Sequence, residues 1–170
     1  NRVYKIGASP NIQKEYMFRK KLESEIEINA STTEIWKTLI EFEKYEQWNN
    51  SLICIAENNA LKEKDDISNL IFDVIICPRL KSKTKAKVEI IYSEKGKKLL
   101  WRGRFLGLGF LLTGDHIFEL LSLEPNKTKL LHYEYFNGIL VPIVWPIYLN
   151  TVLREVFSDF NQALKFKFQK

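Results

Sequence analysis

Residues 138–170 read Gly-Ile-Leu-Val-Pro-Ile-Val-Trp-Pro-Ile-Tyr-Leu-Asn-Thr-Val-Leu-Arg-Glu-Val-Phe-Ser-Asp-Phe-Asn-Gln-Ala-Leu-Lys-Phe-Lys-Phe-Gln-Lys. Past the two prolines, Leu149, Val152, Leu153, Val156, Phe157, Phe160, Ala163 and Leu164 recur at steps of three and four, which puts them on one broad apolar face of a long helix. Most of the chain between residues 67 and 138 alternates as strand instead. A helix this apolar must bury its face, and the partner on offer is a large sheet. One helix gripped by one sheet leaves a hollow between the two, and such hollows take small apolar molecules.

Working back from that helix, two strands are expected over 113–124 and 128–137, joined by a turn at Pro125-Asn126-Lys127. Leu106–Leu112, with Gly107 and Gly109, reads as an apolar loop. Residues 98–105 alternate with Leu99, Trp101 and Phe105 on one face and Leu100, Arg102 and Arg104 on the other, the arginines facing solvent. Residues 94–97 form a tight turn. Strands are further expected over 81–93, 68–77 and 52–57, with a polar connection at 58–66. Lys81, Lys83, Lys85 and Lys87 sit at period two, on one solvated face.

Nearer the start, residues 21–29 alternate as a strand with Leu22, Ile26 and Ile28. Ser31 followed by Glu34 is a capping box that opens a helix carrying Ile35, Trp36, Leu39 and Ile40, ending near Phe42. A second helical turn holds Tyr45 and Trp48. The expected order is strand, two helices, six strands, long helix. Residues 1–19 read as an arm before one domain spanning 20–170.

Composition narrows the class. With 45% hydrophobic and 28% charged residues in 170, the chain has the make-up of a globular domain with a sizeable core. Its net charge of +5 permits weak attraction to anionic surfaces. The lysines and arginines alternate with glutamates and form no basic stripe with interleaved aromatics, so no nucleic-acid partner is expected. Cys54 and Cys77 belong to no Cys-x-x-Cys pair and read as small buried apolar residues, which fits a cytoplasmic protein. The chain begins at Asn1 rather than Met, leaving an exported or membrane-tethered form open. There is no phosphate-binding glycine fingerprint and no nucleophile elbow, and neither cofactor nor metal is expected. Oligomeric state is not legible.

Three segments resemble a known family. Ile26-Glu-Ile-Asn-Ala-Ser-Thr-Thr-Glu-Ile-Trp36, leading to Phe42, Tyr45 and Trp48-Asn49, is similar to its first strand, capped helix and helix end. Leu100-Trp-Arg-Gly103 with Gly114-Asp-His-Ile-Phe-Glu-Leu120 is similar to its middle strands. His132-Tyr-Glu-Tyr-Phe-Asn-Gly138, with Phe160-Asn-Gln-Ala-Leu-Lys165, is similar to its last strand and helix. The family is the SRPBCC superfamily of START-like, helix-grip proteins, in its polyketide cyclase/dehydrase-like subgroup. The resemblance covers about residues 20–168. It implies an α+β helix-grip fold, with a curved antiparallel sheet of about six to seven strands wrapped around the C-terminal helix. It also implies a cavity for a hydrophobic ligand, with the loops at 106–109 and 139–146 beside its mouth.

Candidate chemistry rests on the two histidines. By alternation His116 shares a face with Phe118 and Leu120, and His132 shares one with Leu130, Glu134 and Phe136. If those faces point inward, Glu134 needs a partner such as His132, His116 or an arginine, because a lone buried carboxylate is costly. The three residues then anchor a ligand hydroxyl or carbonyl, form an acid–base pair for cyclisation or dehydration, or make a hydrogen-bonded cluster of purely structural role. Trp48 and Trp101 read as cavity wall or core, as do Phe72, Phe105, Phe118, Phe136 and Phe160. Val156 presents the helix to the same space. Trp145, between two prolines, reads as a gate or as a point of transient membrane contact.

Three functions are carried forward. The first is a carrier or sensor of a hydrophobic small molecule such as a lipid, isoprenoid or polyketide-like aromatic. The second is a cyclase or dehydratase using His116, His132 and Glu134. The third is a partner-binding domain whose cavity is filled.

Overall fold

The computed structural model describes residues 18–55 and 67–169. Strand β1 is Arg19–Ile28, so the arm expected over 1–19 gives its last residue to the sheet, and residues 1–17 lie outside the described region. Helix α1 is Thr32–Ile40, and a 3₁₀ turn follows at Phe42–Gln47. The capping box forms: the Glu34 backbone N–H donates to Ser31 Oγ at 3.3 Å, and the Ser31 N–H donates to the Glu34 carboxylate at 2.9 Å.

Six strands come next: β2 Leu52–Ile55, β3 Ile71–Ile76, β4 Thr84–Glu94, β5 Lys98–Arg104, β6 Thr113–Glu124 and β7 Lys127–Asn137. Helix α2 is Val141–Val144, a π-helical turn spans Trp145–Leu149, and α3 is Val152–Lys167. The seven strands among the described residues join one antiparallel sheet in the order β1-β7-β6-β5-β4-β3-β2. Irregularities of register at Ile90/Tyr92 and Ser122/Glu124 add local bend and twist. This is the α+β helix-grip architecture.

Several boundaries differ from expectation for local reasons. β3 starts three residues late because Asn69 takes a left-handed turn (φ 66°) before it. Lys81 and Lys83 precede β4, so only Lys85 and Lys87 of the four lysines lie on a strand, both exposed. The polar connection expected at 58–66 lies outside the described residues. The loop expected at 139–146 is helical from Val141, because Pro142 sits in the first turn, where no N–H is needed. Pro146 then removes a donor mid-segment. The Asn150 N–H reaches back five residues to the Trp145 carbonyl at 2.9 Å, and α3 proper begins at Val152 rather than Leu149.

The core divides along α3. Towards its C-terminal half, Phe160 and Leu164 pack with α1, the 3₁₀ turn and the middle of the sheet, including Phe42, Phe72, Trp101 and Phe118. Towards its N-terminal half, Leu153 and Phe157 join a smaller cluster with Leu22, Phe136, Val141 and Leu149. Cys54 is buried and Cys77 half-buried, both as free thiols. Among the described residues, no helix is long and apolar enough to cross a membrane.

Candidate functional site

A cavity of about 610 Å³ lies between the N-terminal half of α3 and the sheet. Its walls are apolar for most of their extent: Val74, Val88, Trp101, Phe136, Leu153 and Val156. Leu106 and Gly107 stand at one side of the rim and Leu140, Val144 and Tyr148 at another, so both flanking segments meet the space as expected. Thr84 Oγ1 and the Tyr148 hydroxyl lie 3.2 Å apart, a hydrogen bond that ties the start of β4 to the π turn across that rim. Gly103 lines the wall, and a Cβ there would meet Val88 Cγ1 at an ordinary 3.6 Å.

A buried polar strip interrupts this lining, built by the pairing of β6 with β7, while Thr84, Lys85, Lys87, Arg104 and Tyr148 border the space elsewhere. The register sets His116 opposite Glu134 and Phe118 opposite His132. His116 Nδ1 lies 3.1 Å from Glu134 Oε2, and His116 Nε2 lies 2.8 Å from His132 Nε2. His132 Nδ1 reaches Asn161 Oδ1 on α3 at 2.7 Å, and Asn161 Nδ2 donates to Ser24 Oγ on β1 at 3.0 Å. Trp101 stacks on His116 at 4.9 Å between ring centroids, and Phe157 stacks on His132 at 3.9 Å. The two imidazole Nε2 atoms bond each other instead of converging on a common point. Among the described residues no group of three metal-ligating side chains is arranged to hold an ion.

Burial sets the charge of this strip. It pushes the His116 imidazole down to about 3. His132 is held well below its ordinary value by burial and then by His116. The Glu134 carboxyl is pushed up to about 8, by burial first and by the charge of Asp115 second. All three shifts favour the uncharged form. Gly114 makes room for the arrangement: a Cβ there would collide with Glu134 Oε1.

Of the residues singled out from sequence, Trp101, His116, His132, Glu134, Phe136, Val156 and Phe160 line the cavity. Trp48, Phe72 and Phe118 do not. Phe72 stacks on Phe42 at 4.6 Å and meets Trp101 edge-on from behind. Phe118 packs between Trp101 and Phe160. Trp48 lies against Tyr45 and Phe160. Alternation gives the face a residue points to, but not how far along the sheet the hollow extends, so these three fall in the solid part. The side chain of Phe105 lies outside the described residues.

Two other expectations change. Trp145 is half-buried against Phe136, at 6.3 Å between ring centroids; it is Ile143 and Ile147 that project, 62% and 68% exposed. Arg102 is not simply solvated. It forms a two-pronged pair with Asp115 at 2.6 and 2.9 Å on the outer face of the sheet. Asn161, Ser24 and Gly114 were missed. Asn161 had a signal, being a polar residue inside the apolar stripe of α3, between Phe157 and Leu164.

No protein-family model and no curated protein matches the sequence. The fold has clear relatives among solved structures. The di-domain ARO/CYC StfQ from the steffimycin biosynthetic pathway superposes with a TM-score of 0.68 at 12% identity, over 93% of this chain. The chain spans 52% of that protein's length. The Zhui aromatase/cyclase from Streptomyces sp. R1128 gives 0.65 at 9% identity, over 88% of this chain and 93% of that one. A START superfamily protein from Mycobacterium smegmatis gives 0.62 at 16% identity, over 87% and 96%. The fold is thus the helix grip shared by these aromatase/cyclases and the START superfamily protein.

Proposed function

We propose that residues 20–170 form a domain that binds a hydrophobic small molecule in the space between α3 and the sheet, as a carrier or sensor. The observation that carries this reading is the cavity of about 610 Å³, lined mostly by apolar side chains and carrying the His116, His132 and Glu134 strip on one wall. That volume falls in the range of sites for ligands of drug or lipid-fragment size, roughly 300–1,000 Å³. Removing apolar ligand surface from water contributes about 25 cal/mol per Å². His116, His132 and Glu134 would orient the ligand, and Trp101, Phe136, Val156 and Phe160 would pack against it. Aromatase/cyclases of the same fold support a polyketide-like aromatic among the candidates.

A catalytic reading, as a cyclase or dehydratase, is favoured by one observation: a carboxyl poised near 8 beside an imidazole on the cavity wall. The rim favours ligand transfer at a membrane, because Leu106, Phe110, Ile139, Ile143 and Ile147 are exposed on the two segments that meet there.

Native mass spectrometry of the purified protein, with organic extraction, tests the main reading. The expected result is an apolar molecule bound one to one, or taken up on incubation with 2-naphthol. No uptake of any apolar probe would contradict it.

A further inference from the structure

The hydrogen bonds from β1 to the cavity wall form one chain: Ser24, Asn161, His132, His116, Glu134. Its direction follows from what each atom can do. Asn161 spends its amide N–H on Ser24, so its carbonyl oxygen faces His132 and can only accept. His132 must therefore carry its proton on Nδ1. Neutral His132 then offers a lone pair at Nε2, and the bond to His116 requires the proton on His116 Nε2. That leaves His116 Nδ1 as an acceptor, so Glu134 must donate from Oε2.

Resting on the binding reading above, we infer that Asn161 sets the polarity of this relay and holds Glu134 as a neutral acid. Its free oxygen, Oε1, is then the acceptor that selects an uncharged, hydroxyl-bearing apolar ligand. Oε1 occupies the notch at Gly114 and, among the described residues, accepts no hydrogen bond. Glu134 and Gly114 both line the cavity. An alcohol or phenol that reaches this point satisfies its own donor and this acceptor together. A carboxylate there would bring a second acceptor and an unpaired charge into an apolar space.

Three cationic residues, Arg104, Lys85 and Lys87, also border the cavity, and the first two are already paired. The titratable and charged groups around Glu134 are His116 and Asp115 from β6, His132 from β7, Arg104 from β5, and Lys85 and Lys87 from β4. Asp115 is bound to Arg102. Arg104 pairs with Glu89 at 3.2 Å and Lys85 with Asp73 at 2.9 Å. Lys87 is exposed and borders the cavity from a strand whose buried residues are Val88 and Ile90. From α3 come Val156, Phe157, Phe160 and the uncharged amide of Asn161, and from the π turn the Tyr148 phenol.

Two measurements test this. The first needs no ligand. Nitrogen NMR of the imidazoles at pH 7 should find His132 protonated at Nδ1 and His116 at Nε2, and infrared spectra should show a carboxylic-acid carbonyl band absent from Glu134→Gln. The reverse tautomers, or a Glu134 carboxylate band, would overturn the relay. Asn161→Leu should release the His132 tautomer, whereas Asn161→Asp, still an acceptor at that point, should retain it. An unchanged tautomer in Asn161→Leu would remove Asn161 from the role.

The second measurement compares 2-naphthol, 2-naphthoate and 2-methylnaphthalene. Naphthol should bind more tightly than methylnaphthalene and at least about tenfold more tightly than naphthoate, the effect of roughly 1.4 kcal/mol. Equal or tighter binding of naphthoate would overturn the ligand class. If none of the three binds, the cavity reading fails and the ligand class with it, while the relay stands or falls on the spectra alone.

Discussion

The two halves of α3 face the same sheet and do opposite things. Around Phe160 and Leu164 the space is solid: rings from the 3₁₀ turn, β3, β5 and β6 interlock at centroid distances of 4.6 to 5.8 Å. Around Leu153 and Val156 the same grip holds a cavity of about 610 Å³. The difference lies in what faces the helix. The solid half receives α1 and the 3₁₀ turn as a second layer. The hollow half receives glycines at 103, 107 and 114 and a short helix interrupted at Pro146. Packing is thus concentrated where it stabilises and withheld where space is useful.

The largest expected effect separates the halves directly. Phe118→Ala, in the solid half and 1% exposed, should cost about 3–5 kcal/mol of stability, the usual range for such a cavity. Val144→Ala, at the rim, should cost less than about 1 kcal/mol, since its side chain already borders open space. Denaturant titration measures both, and equal costs would erase the distinction.

The polar strip gives the hollow half its own pH signature. Glu134, raised from 4.5 to about 8, keeps its proton in the fold after the unfolded chain has lost it. Its contribution is therefore complete below 4.5 and declines as pH rises to about 8. His116, lowered from 6.5 to about 3, works the other way, and stability drains as pH falls through that interval. Gln at position 134 keeps a donor for His116 without the ionisation. Glu134→Gln should therefore gain on the native protein as pH rises from 4.5 to 8, reaching on the order of 4 kcal/mol. A pH-independent difference would contradict the burial of that carboxyl.

Gly114→Ala should follow in size. Its Cβ would drive Glu134 off His116, at about 1–3 kcal/mol for the polar groups left unpaired. The matching NMR change would be loss of the His116 hydrogen bond. The smallest effect belongs to the rim. Ile143→Glu with Ile147→Glu should leave naphthol affinity within about twofold, since both side chains project outward, while reducing sedimentation with anionic vesicles. Unchanged sedimentation would remove the rim from membrane contact.

Much of this was legible in the sequence, for identifiable reasons. Strict alternation placed β6 and β7 within one residue of their ends and gave the faces that His116, His132 and Glu134 share, because a half-buried strand has a period of two, while the structure turns those faces inward. Ser31 and Glu34 marked the start of α1. Periodicity could not place the cavity along the sheet, so Trp48, Phe72 and Phe118 were expected beside a ligand and instead pack in the core. It also could not bring Ser24 and Asn161, 137 residues apart, to 3.0 Å, which depends on how α3 crosses β1. The helix at 141–149 was hidden by its prolines, which read as loop signals.

The most direct test is calorimetric titration of 2-naphthol into the native protein and into Gly103→Leu, whose side chain would grow into the cavity from an uncrowded position on β5. The account predicts one-to-one binding with a negative heat-capacity change by the native protein, and loss of that binding in the variant at an unchanged melting temperature. Equal binding by both proteins, or none by the native one, would contradict it.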